Sequence, residues 1–210
     1  MGDCDARRHA VRSKISMLPL IDPLRPERAR AVPRGREWLY ELKLDGFRGM
    51  LYVDQGHGRF RSKTGRWMPR FHDLAEALAR QLGVRDAILD GEIIVMGKEG
   101  PDFKALMRNR GVIAYASFDL LWRNGRDLRA QPLWRRKKAL QALIEASPVG
   151  YVEHCHDPQL FESAVRMDLE GIVAKRRSDP YTPETEWLKI KHTGYSQMEG
   201  RWELFARRAR

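Results

Sequence analysis

The sequence has little cysteine and no long apolar run. Its two cysteines, Cys4 and Cys155, are too few and too far apart to suggest a disulfide framework. It shows no secretory leader and no apolar stretch long enough for a transmembrane helix. Internal repeats and low-complexity segments are also absent. These absences argue against secreted and membrane classes, and they favour a protein of the reducing cytoplasm.

Acidic residues are outnumbered by basic ones. Lys and Arg total 39 against 28 Asp and Glu, so the formal charge is +11 and the pI is near 10.0. Nucleic acid is the commonest partner of such a surface. A soluble basic surface without a dedicated partner explains the charge equally well, because the cations are spread along the whole chain. The 210 residues, 42% hydrophobic, are enough for one sizeable core, and we expect a monomer.

Periodic patterns indicate where strands and helices lie. Strands are predicted over residues 38–44, 49–53, 87–96, 113–122, 171–175 and 187–191. Helices are predicted over residues 71–82, 103–110, 133–146 and 158–169, and Gly83 is placed to end the first of them. The Asp45-Gly46 turn predicts a hairpin between the first two strands, and a second hairpin follows near Gly56. Hairpins interspersed with helices predict an α+β fold, with antiparallel sheets flanked by helices.

The pattern also divides the chain into three parts. Residues 1–36 are rich in Arg and Pro and lack a sustained period, which predicts a basic N-terminal arm, either extended along the domain or partly disordered. Residues 37–192 carry the periodic segments and form the predicted domain. Residues 193–210 form a basic C-terminal tail, either a short DNA-contacting helix or a solvated terminus.

Lys43 is the candidate nucleophile. It lies in the segment Glu41-Leu42-Lys43-Leu44-Asp45-Gly46, at the end of a predicted strand. A lysine becomes nucleophilic at neutral pH only when burial, neighbouring cations or a bound metal remove its proton. Gly46 can adopt a positive φ and bring the backbone close to a ligand. The alternative is an ordinary lysine before an Asp-Gly turn, and the downstream segments decide against it.

Two glutamates supply carboxylates for a ribose or a metal ion. Glu92 follows Asp90-Gly91 and leads into an apolar run, so its charge lies where burial is costly. It either accepts hydrogen bonds from a ribose or joins a Mg²⁺ shell, the alternative being a surface ion pair. Glu170 opens a later strand in the same way. Mg²⁺ usually binds one or two carboxylates together with substrate phosphates and water, which these glutamates can provide.

An aromatic residue and three lysines complete the candidate site. Phe118 is flanked by alternating apolar residues, so it either packs in the core or stacks on a purine. Lys189 and Lys191 are two residues apart in a strand and point to one face. There they bind an anion such as a triphosphate, or they line a solvated edge. Lys175 on a neighbouring strand could add to the same positive field.

These segments, taken in order, resemble the covalent nucleotidyltransferases, which include ATP-dependent DNA ligases and messenger-RNA capping enzymes. Five of the six ordered motifs of that family are recognisable between Lys43 and Lys191. The residues of these motifs are similar to those of the ligase modules of bacterial end-joining enzymes. Three segments carry the similarity: Trp38-Leu39-Tyr40-Glu41-Leu42-Lys43-Leu44-Asp45-Gly46-Phe47-Arg48, Glu170-Gly171-Ile172-Val173-Ala174-Lys175-Arg176 and Trp187-Leu188-Lys189-Ile190-Lys191. The resemblance implies the DNA ligase adenylation (nucleotidyltransferase) fold for residues 37–192.

The resemblance also implies an activity. Lys43 would take AMP from ATP as a covalent lysyl-AMP and pass it to the 5′-phosphate of nicked or broken double-stranded DNA. The 3′-hydroxyl then seals the break, as in DNA repair, with Mg²⁺ or Mn²⁺ as cofactor. The residues implied to bind the nucleotide are Glu41 near the adenine, Arg48, Lys63, Glu92, Phe118, Lys175, Lys189 and Lys191. The residues implied to bind the metal are Asp45, Glu92 and Glu170.

Three departures from the family pattern limit the comparison. Ser62-Lys63-Thr64-Gly65 stands where many ligases have an Arg, and Lys63 offers only a point charge. Glu184 and Glu186 replace basic residues found in relatives. About twenty residues follow Lys191, too few for the oligonucleotide-binding barrel of the family. We therefore expect an adenylation domain alone, with a barrel or a Ku-like end-binding protein supplied in trans.

Two other functions stay open at this stage. An RNA-end ligase or capping-type enzyme would use the same lysine with a different acceptor. A non-catalytic remnant would hold DNA ends without turnover. The presence together of Lys43, Glu92, Glu170, Lys189 and Lys191 argues against a remnant, because an idle site has no physical reason to keep buried charges facing one another.

Overall fold

Two β-sheets and four α-helices make up the computed structural model, which describes residues 18–98 and 100–201. The strands of these described residues are β1 (Glu27–Arg28), β2 (Trp38–Leu42), β3 (Phe47–Asp54), β4 (His57–Ser62), β5 (Asp86–Val95), β6 (Ile113–Arg123), β7 (Arg126–Asp127), β8 (Gly150–Tyr151), β9 (His154–Cys155), β10 (Gly171–Arg176) and β11 (Trp187–Lys191). The helices are α1 (His72–Leu82), α2 (Phe103–Met107), α3 (Leu133–Ile144) and α4 (Leu160–Arg166). None of the helices in this part of the chain is long and apolar enough to cross a membrane.

The two sheets are antiparallel apart from two short pairings. Sheet 1 has the order β1-β11-β10-β2-β9, and only β1 runs parallel to its neighbour. Sheet 2 has the order β4-β3-β5-β6-β7, with the short β8 added in parallel to β6. This architecture confirms the predicted α+β fold with antiparallel sheets.

Three apolar cores show how the layers are stacked. One core lies on the outer side of sheet 2, beneath α1 and α3, and another lies on the outer side of sheet 1, beneath α4. The third core lies between the sheets, where Met50 and Phe118 of sheet 2 meet Trp187 of sheet 1. Because strand side chains alternate between faces, the strands β3, β5, β6 and β11 each contribute to one outer core and to the layer between the sheets. Phe118, one of the candidate site residues, lies in this middle layer.

The predicted hairpin at Asp45-Gly46 is wrong. β2 pairs with β10 and β9, whereas β3 pairs with β4 and β5, so the two strands belong to different sheets. Residues 43–46 connect sheet 1 to sheet 2. Gly46 lacks the positive φ that we expected, and its requirement is steric, because a Cβ there would lie 2.2 Å from the Ile93 carbonyl oxygen. Local turn chemistry cannot distinguish a hairpin from such a connection.

The other elements match their predictions closely. The hairpin of β3 and β4 forms at Gly56, and all four predicted helices are present, each shorter than predicted, with the largest difference at α4. Gly83 ends α1 in the left-handed conformation with φ 60°. A glycine tolerates this conformation without a Cβ penalty, as its position after the last apolar residue predicts.

The described part of the N-terminal arm packs against the domain. Leu18, Ile21 and Leu24 are buried in the core between the sheets. The backbone amides of Ile21 and Leu24 donate to the hydroxyls of Tyr52 and Tyr181, at 2.9 Å and 3.0 Å. The arm is therefore extended along the domain from residue 18 onward, while residues 1–17 and 202–210 lie outside the described residues. The three-part division of the chain stays a prediction.

Candidate active site

Three neighbouring strands of sheet 1 present charged side chains to sheet 2. Opposite residues of an antiparallel pair share a face, and Glu41 lies opposite Val173, which lies opposite Lys189. Beyond the end of β2, the Lys43 amide donates to the Gly171 carbonyl at 2.9 Å and so extends the ladder. Lys189 and Lys191 share the side of β11 that faces sheet 2, as the two-residue period predicts. We call the space between Lys43, Glu170 and Lys189 of sheet 1 and Glu92 and Phe118 of sheet 2 the cleft.

Lys43 is held by a buried carboxylate. Its Nζ lies 2.6 Å from Glu170 Oε2, and Lys191 Nζ lies 3.0 Å from Glu170 Oε1. Burial alone would raise the pKa of Glu170, but Lys43 and Lys191 outweigh burial and hold that pKa below its usual value. Glu170 is therefore an ionised carboxylate shared by two lysines. The predicted nucleophile and one predicted phosphate ligand are brought together through it.

Lys189 contacts the arm. Its Nζ donates to the Pro26 carbonyl at 2.5 Å. Burial lowers the pKa of Lys189, and the cations Lys191 and Lys43 lower it further. Lys63 is exposed on the turn after β4 and contributes to the same positive field. These lysines lie around the ammonium group of Lys43. An anion placed between them would relieve their mutual repulsion.

The three predicted metal ligands differ in what they contact. Asp45 accepts hydrogen bonds from Tyr195 Oη at 3.0 Å and from Arg201, and burial raises its pKa. Glu170 is paired as described. Glu92 lies opposite Arg48 in the register of β3 and β5, and no side chain among the described residues donates to its carboxylate. Burial raises the pKa of Glu92 to about 7, although Lys43 and Arg48 oppose that rise.

Of the three predicted ligands, Glu92 is the best suited to hold a metal ion, because its carboxylate accepts no hydrogen bond from a described side chain. Within residues 18–98 and 100–201, no three acidic, histidine or cysteine side chains are gathered as a ready metal site. A single desolvated carboxylate completed by nucleotide phosphates and water is nevertheless an ordinary Mg²⁺ environment. The metal ligands predicted from sequence stay a prediction.

Arg48 is fixed by a residue to which sequence reasoning gave no role. Its guanidinium makes two 2.6 Å hydrogen bonds to the carboxylate of Asp90, which also accepts from Tyr181 Oη at 2.7 Å. Asp90 is fully buried. The Arg48 guanidinium carbon also lies 4.6 Å from the centre of the Phe118 ring. Asp90 could have been recognised from its place in Asp90-Gly91-Glu92, one side-chain period before Glu92 on the same face.

At one corner of the cleft, the Lys175 ammonium group lies against the aromatic rings of Phe118 and Trp187. The Lys175 Nζ lies 4.2 Å from the centre of the Phe118 ring and 4.0 Å from that of Trp187. We expected Lys175 to join the phosphate-binding lysines. It pairs instead with Glu41, at 2.6 Å, and burial lowers its pKa to about 8 against the opposing effect of Glu41. The Phe118 ring is 9% exposed, and two cations lie close to it.

Glu41 has a second partner that sequence reasoning missed. Lys137 Nζ, from α3, lies 2.6 Å from Glu41 Oε1, so each carboxylate oxygen binds one lysine. The sequence does contain a sign that Lys137 is buried, in the spacing of the apolar residues of α3. Leu133 and Leu140 mark the buried face of α3, and Lys137 falls between them at the spacing of that face. In the charge run Arg135-Arg136-Lys137-Lys138, the two middle residues are buried and the outer two are exposed.

The family model that describes the ATP dependent DNA ligase domain matches residues 25–191, which is most of the chain. The chain belongs to this family. The resemblance drawn from the ordered motifs is thereby confirmed, as is the DNA ligase nucleotidyltransferase fold.

Relatives of this ligase domain include bacterial end-joining proteins. The multifunctional non-homologous end joining protein LigD of Pseudomonas aeruginosa is 40% identical over 190 residues, covering 82% of this chain and 22% of that protein. DNA ligase C1 of Mycolicibacterium smegmatis is 31% identical over 206 residues, covering 83% of this chain and 58% of that protein. A mycobacterial DNA ligase D solved in complex with ATP and MES aligns with a TM-score of 0.69 and 32% identity. That alignment covers 81% of this chain and 60% of the solved one.

The chain spans only part of the length of these relatives. It spans less than a quarter of the P. aeruginosa protein and about three fifths of the solved mycobacterial chain. The matched region includes every residue that sequence analysis assigned to the site, from Glu41 to Lys191.

Proposed function

We propose that this domain transfers AMP from ATP to Lys43 and from Lys43 to the 5′-phosphate of a DNA break, which the 3′-hydroxyl then seals. The observation that carries the proposal is the contact between Lys43 Nζ and Glu170 Oε2, 2.6 Å apart in a cleft lined by further lysines. Membership of the ATP-dependent DNA ligase family supports the choice of ATP and DNA.

The first chemical step follows from that contact. The Lys43 nitrogen bonds the α-phosphorus, the bond from that phosphorus to the bridging oxygen breaks, and pyrophosphate leaves with the electron pair. The amine must give up a proton to attack, and Glu170 is an ionised acceptor at hydrogen-bond distance. The product is a phosphoramidate that keeps AMP on Lys43.

The surrounding residues are suited to the rest of the nucleotide. Lys189 and Lys191 can neutralise the phosphates, with Lys63 as an outer point charge. Glu92 would hold Mg²⁺ together with those phosphates, and the metal would supply charge neutralisation when bound. Phe118 is suited to contact the base, and two cations, Arg48 and Lys175, lie beside its ring. Glu41 lies at the same corner.

The biological setting is proposed from the relatives. End joining is the activity named for the P. aeruginosa protein, and repair of broken double-stranded DNA is the corresponding role here. A Ku-like end-binding protein or a barrel domain in trans would supply DNA contacts beyond this domain. We place the protein in the cytoplasm as a monomer.

A labelling experiment tests the proposal. The purified chain is incubated with Mg²⁺ and ATP labelled at the α-phosphate, and the protein is then analysed under denaturing conditions. We expect an acid-labile label on the wild type and on Lys138→Ala, an exposed lysine of α3, and no label on Lys43→Ala. Equal labelling of the wild type and Lys43→Ala overturns the assignment of the nucleophile.

A sealing assay then identifies the acceptor. Nicked DNA and nicked RNA of the same sequence are offered to the labelled enzyme, and GTP is tested as the donor. Sealing of DNA with ATP supports the proposal. Sealing confined to RNA, or a preference for GTP, indicates the RNA-end or capping alternative. Absence of any label indicates a non-catalytic domain.

A further inference from the structure

We propose that Lys137 is a positioning residue that, together with Lys175, fixes Glu41 as an ionised hydrogen-bond acceptor and so makes the site select adenine over guanine. The inference rests on the proposed function, since it concerns the nucleotide that Lys43 attacks. It adds a residue from α3, outside the motifs by which the family was recognised.

Glu41 is held at both ends of its carboxylate. Oε1 lies 2.6 Å from Lys137 Nζ and Oε2 lies 2.6 Å from Lys175 Nζ. All three side chains are at most 2% exposed. A carboxylate bound in this way has one position and one orientation, whereas a glutamate with a single partner can rotate about its last torsion. The two lysines also hold the pKa of Glu41 below its usual value, against the effect of burial.

Lys137 also connects the two sheets. Besides Glu41 of β2, its Nζ donates to the Phe118 carbonyl at 3.2 Å and to the Val152 carbonyl at 3.4 Å. Glu41 and Phe118 belong to opposite walls of the cleft. One ammonium group therefore sets the distance between the carboxylate and the aromatic residue expected to contact the base.

The position of Glu41 relative to Lys43 indicates that the base lies there. The two residues are one side-chain period apart on one face of sheet 1, which corresponds to about 7 Å along the strand. Phe118, the aromatic residue expected to stack on the base, lies at the same corner as Glu41, because Lys175 Nζ is 2.6 Å from Glu41 Oε2 and 4.2 Å from the centre of the Phe118 ring. A nucleotide with its α-phosphate at Lys43 and its base on Phe118 therefore brings the base beside Glu41.

A fixed and ionised carboxylate distinguishes the two purines. It has about four lone-pair sites and no donor, and the two lysines occupy only part of that capacity. The 6-amino group of adenine donates a hydrogen bond to such an acceptor. The 6-oxo group of guanine is itself an acceptor, so it meets the carboxylate with repulsion and loses its own hydrogen bond with water.

Stability gives no sufficient reason for this cluster. Two cations and one anion, all buried, carry a net positive charge, and apolar residues of similar volume usually stabilise a fold at least as well. Lys137 also lies on the buried side of α3, with Leu133, Leu140 and Leu143 and with Arg136, which is paired with Asp119. A lysine at a core position that binds a cleft carboxylate is better explained by selection of a ligand.

The test compares nucleotides that differ only at purine position 6. Labelling of Lys43 is followed with ATP, GTP and purine riboside triphosphate, which lacks the 6-amino group. The variants are Lys137→Met, Lys137→Gln and the control Lys138→Met, whose lysine is the exposed neighbour on α3. Thermal unfolding identifies the folded variants.

The wild type and Lys138→Met should prefer ATP over purine riboside triphosphate by up to about 10²-fold in kcat/KM, the effect of one hydrogen bond to a charged group. In Lys137→Met this preference should fall at least about 10-fold, mainly through a higher KM for ATP, and the ratio of ATP to GTP should fall as well. A loss of packing alone lowers all three activities equally. If Lys137→Met does not fold, Lys137→Gln, whose side chain is shorter and uncharged, loses the ion pair with Glu41 and is expected to show the same fall.

An unchanged preference in either folded variant overturns the inference, while labelling of the wild type by ATP still supports the proposed function. If the wild type takes no label from ATP, the proposed function fails instead. The two failures are therefore distinguished in one set of reactions.

Discussion

Lys43 and Glu170 are 127 residues apart in the chain, and their side chains meet at 2.6 Å between Nζ and Oε2. The contact depends on β2 and β10 being neighbours in sheet 1, because Lys43 follows the first strand and Glu170 precedes the second. Glu170 is shared with Lys191. The nucleophile, an acceptor for its proton and a phosphate-binding cation thus form one group.

Replacement of Glu170 by Gln should slow formation of lysyl-AMP. The amide keeps the shape of the side chain but loses the charge that accepts a proton and holds two lysines. We expect the single-turnover rate with saturating ATP to fall by about 10²-fold. Glu162→Gln, an exposed glutamate of α4, is the matched control and should leave the rate unchanged. A Glu170→Gln rate within a factor of two of the wild type would show that Glu170 does not take part in the step.

Removal of the negative charge of Asp90 should destabilise the domain. Asp90→Asn leaves the Arg48 guanidinium with a neutral partner in a buried site, at a cost of about 3 kcal/mol in the free energy of unfolding. Asp22→Asn is the matched control, since Asp22 also pairs with an arginine but is 92% exposed. It should change stability by less than about 0.5 kcal/mol. Urea unfolding measures both, and equal effects would contradict the importance of burial here.

Stability should rise with pH in the alkaline range because of Lys175. Burial lowers its pKa in the folded state to about 8, from 10.5. Between these values the unfolded chain binds more protons than the folded chain, so the free energy of unfolding increases as the pH rises. Lys175→Met should lack this component. The difference in the free energy of unfolding between the wild type and Lys175→Met should therefore change by up to about 3 kcal/mol between the folded-state and unfolded-state pKa values. Parallel stability curves for the two proteins would contradict the lowered pKa.

Binding to DNA should weaken steeply with salt. The basic surface attracts DNA by releasing counterions, so the logarithm of the affinity falls linearly with the logarithm of the salt concentration. We expect at least about a 10-fold loss between about 50 and 200 mM salt, measured by anisotropy of a labelled nicked duplex. Lys63→Ala should reduce the slope by about one. A flat dependence would remove nucleic acid as the explanation of the charge.

The sequence by itself determined the family, the fold class and the positions of most elements. Ordered motifs from Trp38 to Lys191 identify the ligase domain, and apolar periods mark the helices and the strand faces. The same period places Lys189 and Lys191 on one side of a strand. These properties are local, because a side-chain period and a turn residue are set by neighbours along the chain.

Only the tertiary structure decided which charges meet. It joined Lys137 to Glu41 across 96 residues, tied Arg48 to Asp90, and left Glu92 without a side-chain donor among the described residues. It also separated β2 from β3 into two sheets, where the Asp45-Gly46 turn indicated a hairpin. Such partners depend on how sheets and helices stack, and a pairwise contact between distant segments leaves no periodic trace in either of them.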